Sequence, residues 1–349
     1  MLRIGPLSFA LPAVQAALSG YSDRAMRVVA RRRGAELAMA EVVLDKLVLL
    51  KGRLRDRLLA IGEDDHPIGG QLMGAEPEQF GLAAAELVAH GYDLVDLNFG
   101  CPVRKVLGRC RGGFLLTTPS VALDIVKSVL DRVGGRRPVT VKMRRGFDDS
   151  AESERSFFEI LDGAFDLGVA SVTVHGRTVK QRYEGPSNRR FLSRVKRHAG
   201  ARTILGSGDV FLPEDVPAMM RETGVEGVGI ARGAIGNPFI FREVRALLEG
   251  RPLPPPPAMA EQRAALEEHL ALTAVEYGPE KAGIVFRKTA IRYADLHPQG
   301  GEVRRAFIGA RSSRDVEEAI RRWYDPAREW PPVRRREQVD LVAAGAVEE

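Results

Sequence analysis

The sequence predicts an α/β protein in which a (β/α)8 TIM barrel is followed by a smaller, all-helical domain. Three observations lead there. Eight short apolar runs rich in β-branched residues alternate with segments of helical period, the count of such a barrel, whose usual size is about 250 residues. The stretch Gly250-Arg251-Pro252-Leu253-Pro254-Pro255-Pro256-Pro257 can be neither helix interior nor central strand, and reads as an extended, semi-rigid linker. Beyond it every pattern is helical. An open, doubly wound sheet is the alternative, but no Gly-x-Gly-x-x-Gly follows the first strand to support it.

In chain order, strands are expected near Ala13–Leu18, Glu36–Val42, Ile68–Met73, Leu94–Phe99, Val139–Met143, Ser171–His175, Thr203–Gly206 and Gly227–Ala231. Among the intervening helices, Pro77–His90 places Phe80, Ala84, Leu87 and Val88 on one face, and Val121–Val133 and Glu152–Leu167 read similarly. Helix starts carry their signals, with Thr118-Pro119 before one helix and Leu212-Pro213-Glu214 before another. Met1–Leu18 has a single charge, Arg3, and is interrupted by Pro6 and Pro12, so it reads as the approach to the first strand and the strand itself, not a signal peptide. After the linker, helices are expected at Ala260–Tyr277, Gly283–Ala294, Gly301–Gly309 and Ser313–Tyr324. The expected organisation is a barrel over 1–249, a linker over 250–257, a helical domain over 258–335 and a tail over 336–349, with fraying from Arg334-Arg335-Arg336 onward.

Composition narrows the function classes. With 349 residues, 44% of them apolar, the chain can bury a sizeable core, which excludes a largely disordered protein. Lys and Arg number 52 against 46 Asp and Glu, and the resulting +6 permits a polyanionic partner without demanding one. Two cysteines, Cys101 and Cys110, cannot build a disulfide framework, so a reducing cytoplasm is expected. No run reaches the roughly 18–20 apolar residues that span a bilayer, and no metal-ligand spacing occurs. A monomer is expected.

In such barrels the active site lies at the C-terminal ends of the strands. Those ends carry Leu18-Ser19-Gly20, Glu41, Gln71, Asn98-Phe99-Gly100-Cys101-Pro102, Lys142-Met143-Arg144, His175-Gly176-Arg177, Gly206-Ser207-Gly208-Asp209 and Ala231-Arg232-Gly233. Polar and reactive residues thus recur where apolar ones would serve a core better. The last two segments are Gly-rich turns after strands seven and eight, where backbone N–H groups and a following helix N-terminus form a phosphate site. Arg232 would add a charged fork, and the ligand expected is a phosphorylated cofactor. Lys142 could stabilise negative charge at the N1/O2 edge of a reduced flavin. Gln71 and His175 could hydrogen-bond the ring or a substrate, although a single rim lysine or lone histidine is more often structural. The Cys101 thiol suits a proton donor or nucleophile, with Arg104, Lys105, Arg109 and Arg111 around it. Cys110 lacks a strand-end context and is expected to be inert. Gly108, Gly112 and Gly113 suggest a mobile lid carrying Cys101 over its substrate.

Four motifs, in order, resemble the tRNA-dihydrouridine synthase (Dus) family from about Ala16 to Arg245, with a weaker echo through the helical domain. Asp96-Leu97-Asn98-Phe99-Gly100-Cys101-Pro102-Val103-Arg104-Lys105-Val106 resembles its Asn-x-Gly-Cys-Pro-x-x-Lys-Val signature. Pro138–Arg144 is similar to its Pro-Val-Thr-Val-Lys-x-Arg strand. Val174-His175-Gly176-Arg177-Thr178, with Gln181, Tyr183 and Gly185, resembles its His-Gly-Arg-Thr-x-x-Gln-x-Tyr-x-Gly motif. Arg232-Gly233-Ala234-Ile235-Gly236-Asn237-Pro238-Phe239-Ile240-Phe241 resembles the turn after its last strand.

The resemblance implies a flavin mononucleotide (FMN) barrel with a helical RNA-binding domain, and NADPH-driven reduction of the uridine C5–C6 double bond in tRNA or another structured RNA. Hydride from reduced flavin would reach C6, and Cys101 would protonate C5. By motif position Leu18, Ser19, Gln71, Lys142, His175, Ser207, Gly208, Asp209, Ala231 and Arg232 would hold the flavin. Asn98 would face flavin and base, and Arg144, Arg177, Arg287, Lys288 and Arg292 would bind substrate. Arg304, Arg305, Arg321 and Arg322 add to the basic helical domain, against Glu302, Glu317 and Glu318.

Some positions depart from the family pattern. Ala16-Ala17-Leu18-Ser19-Gly20 stands where the family has Ala-Pro-Met-Ala-Gly, Ser207-Gly208-Asp209 for Asn-Gly-Asp, Ala231-Arg232-Gly233 for Gly-Arg-Gly, and Arg287-Lys288-Thr289 for Arg-Lys-His. These mark a divergent branch. Two other readings stay open: a flavin barrel acting on a small pyrimidine-like substrate, and a non-catalytic RNA-binding protein.

Overall fold

The computed structural model describes residues 1–333 and 335. Strands β1 (Leu2–Ile4) and β2 (Leu7–Phe9) form an antiparallel hairpin. Eight more follow: β3 (Ala13–Gln15), β4 (Leu37–Leu44), β5 (Ile68–Met73), β6 (Leu94–Phe99), β7 (Val139–Arg144), β8 (Ser171–His175), β9 (Ile204–Ser207) and β10 (Gly227–Ile230). They close into a parallel barrel in chain order, with β10 pairing back onto β3. The fold class is therefore the one read from sequence, and all eight expected strands are present.

Helices occupy Pro77–Ala89, Pro119–Val133, Ala151–Leu167, Met259–Tyr277, Pro279–Tyr293, Gly300–Gly309 and Ser313–Trp323, within a few residues of expectation. Their starts follow local chemistry. Pro77, Pro119 and Pro279 stand in first turns, where a missing N–H costs nothing. Ser150 caps Ala151–Leu167 by accepting the Ser153 N–H. The proline stretch, residues 251–258, has no regular structure. The expected tail, 336–349, lies outside the described residues.

The hairpin was not anticipated. Leu2 pairs with Phe9 and Ile4 with Leu7 across a two-residue Gly5-Pro6 turn. Gly5 has φ 57°, the left-handed conformation that the first position of a type II′ turn demands. Leu2, Ile4 and Phe9 pack with Val14, Leu37, Met39, Leu94 and Leu205. Those partners sit at or near the starts of β3, β4, β6 and β9, so the hairpin plugs the N-terminal mouth of the barrel with buried apolar surface.

Above this layer the inward positions turn polar. Register sets Gln71 opposite Asp96, Asn98 opposite Lys142, and His175 opposite both Arg144 and Ser207. Since side chains alternate along a strand, a two-residue step keeps each set facing inward.

Grouping by contact divides the chain into two compact units that interleave in sequence. One comprises Met1–Ser19, Glu36–Val210 and Asp215–Ala231; the other comprises Gly20–Ala35, Phe211–Glu214 and the chain from Arg232. This division departs from a single cut at the prolines. The helix Arg24–Arg31 is grouped with the C-terminal helices, and Arg33 Nη1 pairs with Glu268 at 2.7 Å. The second unit is centred on Phe239, Leu266, Phe286, Tyr293, Phe307 and Tyr324, all buried.

Candidate active site

Within the barrel, a cavity is lined by Ala16, Ala17, Gln71, Asp96, Lys142 and Gly229, among others. Its polar wall is a connected network. Thr140 Oγ1 donates to Asp96 Oδ1 (2.6 Å), and Gln71 Nε2 donates to Asp96 Oδ2 (2.6 Å). Asn98 Nδ2 donates to Gln71 Oε1 (2.8 Å), while Asn98 Oδ1 accepts the N–H groups of Gly100 (3.0 Å) and Cys101 (3.1 Å). One chain of bonds thus runs from mid-barrel Thr140 to the backbone of the cysteine. Burial raises the Asp96 carboxyl above its ordinary range, against its hydrogen bonds and the pull of Lys142. Burial lowers Lys142, Arg144 lowers it further, and Asp96 and Cys101 oppose them.

Cys101 is half-buried, and its carbonyl accepts the Gly113 N–H at 3.0 Å. Gly112 adopts φ 57°, and a Cβ built there would lie 2.8 Å from Cys101 Cβ, so the loop closes against the cysteine only with glycine there. Cys110 is exposed. Arg144 holds loops: Nε donates to Gly100 O (2.9 Å), Nη1 to Thr178 O (2.8 Å) and Arg182 O (2.6 Å), and its guanidinium stacks 5.5 Å from the Tyr183 ring centroid.

The turn after β9 has two successive left-handed residues, Gly208 (φ 109°) and Asp209 (φ 54°). Asp209 Oδ2 accepts from Arg177 Nη2 and the Ser187 N–H, both at 2.7 Å, so its negative charge is compensated. Arg177 Nε also donates to Gly185 O at 2.8 Å. His175 Nδ1 accepts the Arg177 N–H at 3.2 Å, and His175 is buried. Ser207 is buried, Leu18, Gly208 and Ala231 are half-buried, and Ser19 is exposed.

Lys142 lines the cavity together with the small residues Ala16, Ala17 and Gly229, and the left-handed turn at Gly208 and Asp209 carries a carboxylate paired with Arg177, so charge and space for a flavin are both present. A Cβ built on Gly229 would meet nothing nearer than 3.9 Å, so the cavity is not crowded there. The residues present fit the group.

The structure brings Gln71, Asn98, Cys101 and Lys142 together, and likewise His175, Arg177, Ser207, Gly208 and Asp209. The sequence reading passed over Asp96 and Thr140, which orient the Gln71 amide; the alternating inward positions of β6 and β7 could have revealed them.

In the second unit, Arg232 stacks 4.9 Å from the Phe211 ring centroid. Arg287 Nη1 donates to Ala310 O (3.0 Å), and Lys288 Nζ lies 5.1 Å from the Tyr21 ring centroid. Arg292 is half-buried. Arg304 pairs with Asp295 and Arg305 with Glu302, so those two charges are partly committed within the unit. Among the described residues, no helix is long and apolar enough to cross a membrane, and no His, Cys, Asp and Glu group could hold a metal ion.

A dihydrouridine synthase family model matches residues 14–323. A protein named tRNA-dihydrouridine synthase B from Xanthomonas axonopodis pv. citri is 33% identical over 324 residues, covering 93% of this chain and 95% of that protein. A probable tRNA-dihydrouridine synthase from Mycobacterium tuberculosis is 32% identical over 315 residues, covering 88% and 80%. Among solved structures, histamine dehydrogenase from Rhizobium sp. 4-9 matches with a TM-score of 0.54 at 16% identity, over 78% of this chain and 50% of that one, a likeness of fold alone.

Proposed function

The chain belongs to the dihydrouridine synthase family, and we propose that it reduces the C5–C6 double bond of specific uridines in transfer RNA, with FMN bound in the barrel and NADPH as reductant. When bound, reduced FMN supplies the hydride that adds at C6. The chain's own residues do the rest. Lys142 would offer positive charge to the flavin ring and Gln71 would hydrogen-bond it. Leu18, Ser19, His175, Ser207, Gly208, Asp209, Ala231 and Arg232 are the further residues that would hold it.

Hydride addition at C6 leaves an electron pair delocalised from C5 onto the C4 carbonyl. The Cys101 thiol gives its proton to C5, becomes a thiolate, and regains a proton from solvent. Both faces of the base must be reached, so the base leaves its stack before reaction. Asn98 fixes the backbone of Cys101 and can present its remaining amide N–H to the base. Arg144 and Arg177 shape the loops that meet the substrate.

The helical region 258–335, with Arg287, Lys288 and Arg292, would hold RNA phosphates, and 1–249 would carry the chemistry. The proposal includes a cytoplasmic, monomeric protein.

The observation supporting this reading most directly is the bond chain that ends on Cys101 at the mouth of the barrel. The test is dihydrouridine formation in unmodified transfer RNA by FMN-loaded protein. Cys101→Ala should lower the rate by about 100-fold or more, as expected for loss of a general acid. An unchanged rate would remove Cys101 from the mechanism, and no product from the parent protein with any transfer RNA would remove the reading itself.

A further inference from the structure

Strand β8 ends at His175 and the next helix starts at Arg189, so residues 176–188 form a loop at the strand-end mouth of the barrel. Its outgoing limb carries Arg177, and its returning limb carries Gly185 and Ser187. Both limbs are tied to one carboxylate on the neighbouring turn, the one after β9. Arg177 Nη2 pairs with Asp209 Oδ2 at 2.7 Å, and the same oxygen accepts the Ser187 N–H at 2.7 Å. Arg177 Nε reaches across the loop to Gly185 O at 2.8 Å. Ser187 Oγ donates to Ser207 O at 3.3 Å, and a Cβ built on either Gly176 or Gly208 would run into that hydroxyl. Loop and turn are therefore interlocked, with an ion pair at their centre.

The setting of the pair is more telling than its existence. The Arg177 side chain is 4% exposed and that of Asp209 26% exposed. Asp209 is not a glycine, yet it holds φ 54°, a conformation that persists where the surroundings impose it. It directly follows Gly208, on the turn where the proposed function puts the flavin phosphate. A carboxylate left unpaired there would repel that phosphate. Arg177 cancels the charge, and the two side chains are committed to each other.

We infer that Arg177 and Asp209 are positioning residues: their ion pair fixes the turn at Gly208 and keeps it electrically neutral, so that a phosphate monoester can settle against it. The inference rests on the flavin reading of the barrel. It also sharpens the part of Asp209, which serves through the turn that it holds and not through its carboxylate.

The test compares FMN with riboflavin, which lacks the phosphate, by fluorescence titration of the full-length protein. Arg177→Gln strands the carboxylate, and should weaken FMN binding about tenfold or more while riboflavin changes by less than about threefold. Asp209→Asn keeps an acceptor for the Ser187 N–H and removes the negative charge, so FMN should stay within about threefold of the parent. The double variant Arg177→Gln/Asp209→Asn should bind FMN at least about fivefold more tightly than Arg177→Gln alone, because the stranded charge is gone.

Parental FMN affinity in Arg177→Gln overturns the inference, as do equal losses for the two flavins in either single variant. So does a double variant no better than Arg177→Gln: Arg177 Nη1, buried and without a hydrogen-bond partner among the described residues, would then be the phosphate contact itself. Should Arg177→Gln fail to fold, Arg177→Lys takes its place, where a kept charge and FMN affinity within about threefold of the parent support the pair and a loss of about tenfold overturns it. A parent protein that binds neither flavin would refute the flavin reading. The pair is then judged by melting of the same four proteins without ligand, where a double-variant loss smaller than the sum of the single losses supports it and an additive loss overturns it.

Discussion

Replacing Asn98 by alanine deletes three hydrogen bonds at once: the donation to Gln71 Oε1 at 2.8 Å and the acceptance of two N–H groups at 3.0 and 3.1 Å. Gly100 is buried, whereas Cys101 is half-buried, so water can replace the second acceptor but not the first. One stranded N–H costs about 1–3 kcal/mol and each ordinary bond removed about 1 kcal/mol, which sums to roughly 3 kcal/mol. At an unfolding entropy of about 2.1 cal/mol/K per residue, a chain of 349 residues loses about 1.4 °C per kcal/mol, so melting should fall by roughly 4 °C. Asn98→Asp keeps the acceptor for both N–H groups, loses the donation to Gln71, and sets a carboxylate in register with Lys142. It should melt between the parent and Asn98→Ala. Thermal unfolding followed by circular dichroism reads both. An alanine variant within about 2 °C of the parent would refute the bond accounting. An aspartate variant melting below alanine would show that the two backbone N–H groups do not depend on this side chain.

Three further outcomes are expected. Gly208→Ala should lower FMN retention at least tenfold by fluorescence titration while the fold persists, because φ 109° and a Cβ 2.5 Å from Ser187 Oγ both forbid a side chain. His269 is pushed down to about 3 from 6.5 by burial, so it stays neutral in the folded protein while the unfolded chain binds a proton. Its contribution is intact above pH 6.5 and declines as pH falls, by about 2 kcal/mol at pH 5. Glu243, pushed up to about 7 by burial, works in the opposite sense between pH 4.5 and 7. Urea unfolding at pH 7.5 and 5 should therefore show the loss only as a difference between the parent and His269→Phe. RNA affinity should weaken steeply with salt, and charge removal at the exposed Arg104 and Lys105 should flatten the log–log slope by about 0.7–0.9 for each phosphate that is no longer neutralised. An unchanged slope would place the RNA elsewhere.

The barrel was legible because each strand is an apolar run followed by a polar or glycine-rich end, and two of those end residues, Gln71 and Lys142, line the cavity. The parts missed have physical reasons. Strands Leu2–Ile4 and Leu7–Phe9 are too short for any period to register, although Gly5-Pro6 carried a turn signal. Asp96 and Thr140 sit inside apolar strands, where a sequence shows a polar residue but not which neighbour it faces. Arg144 and Arg177 read as charges available to a ligand, yet their donors reach backbone carbonyls brought in from distant loops. The grouping of Arg24–Arg31 with the C-terminal helices depends on pairings more than 200 residues apart in sequence, such as Arg33 with Glu268, and no local pattern announces it.

The hairpin over the N-terminal mouth has a kinetic consequence. Leu2, Ile4 and Phe9 pack across that side of the barrel, which leaves the strand ends, where Cys101 stands, as the approach for reactants. In the proposed reaction a nicotinamide donor and a uridine would each have to reach the flavin from that end. If they share that entry, reductant would leave before RNA arrives, and initial rates measured at several fixed NADPH concentrations should give parallel double-reciprocal lines.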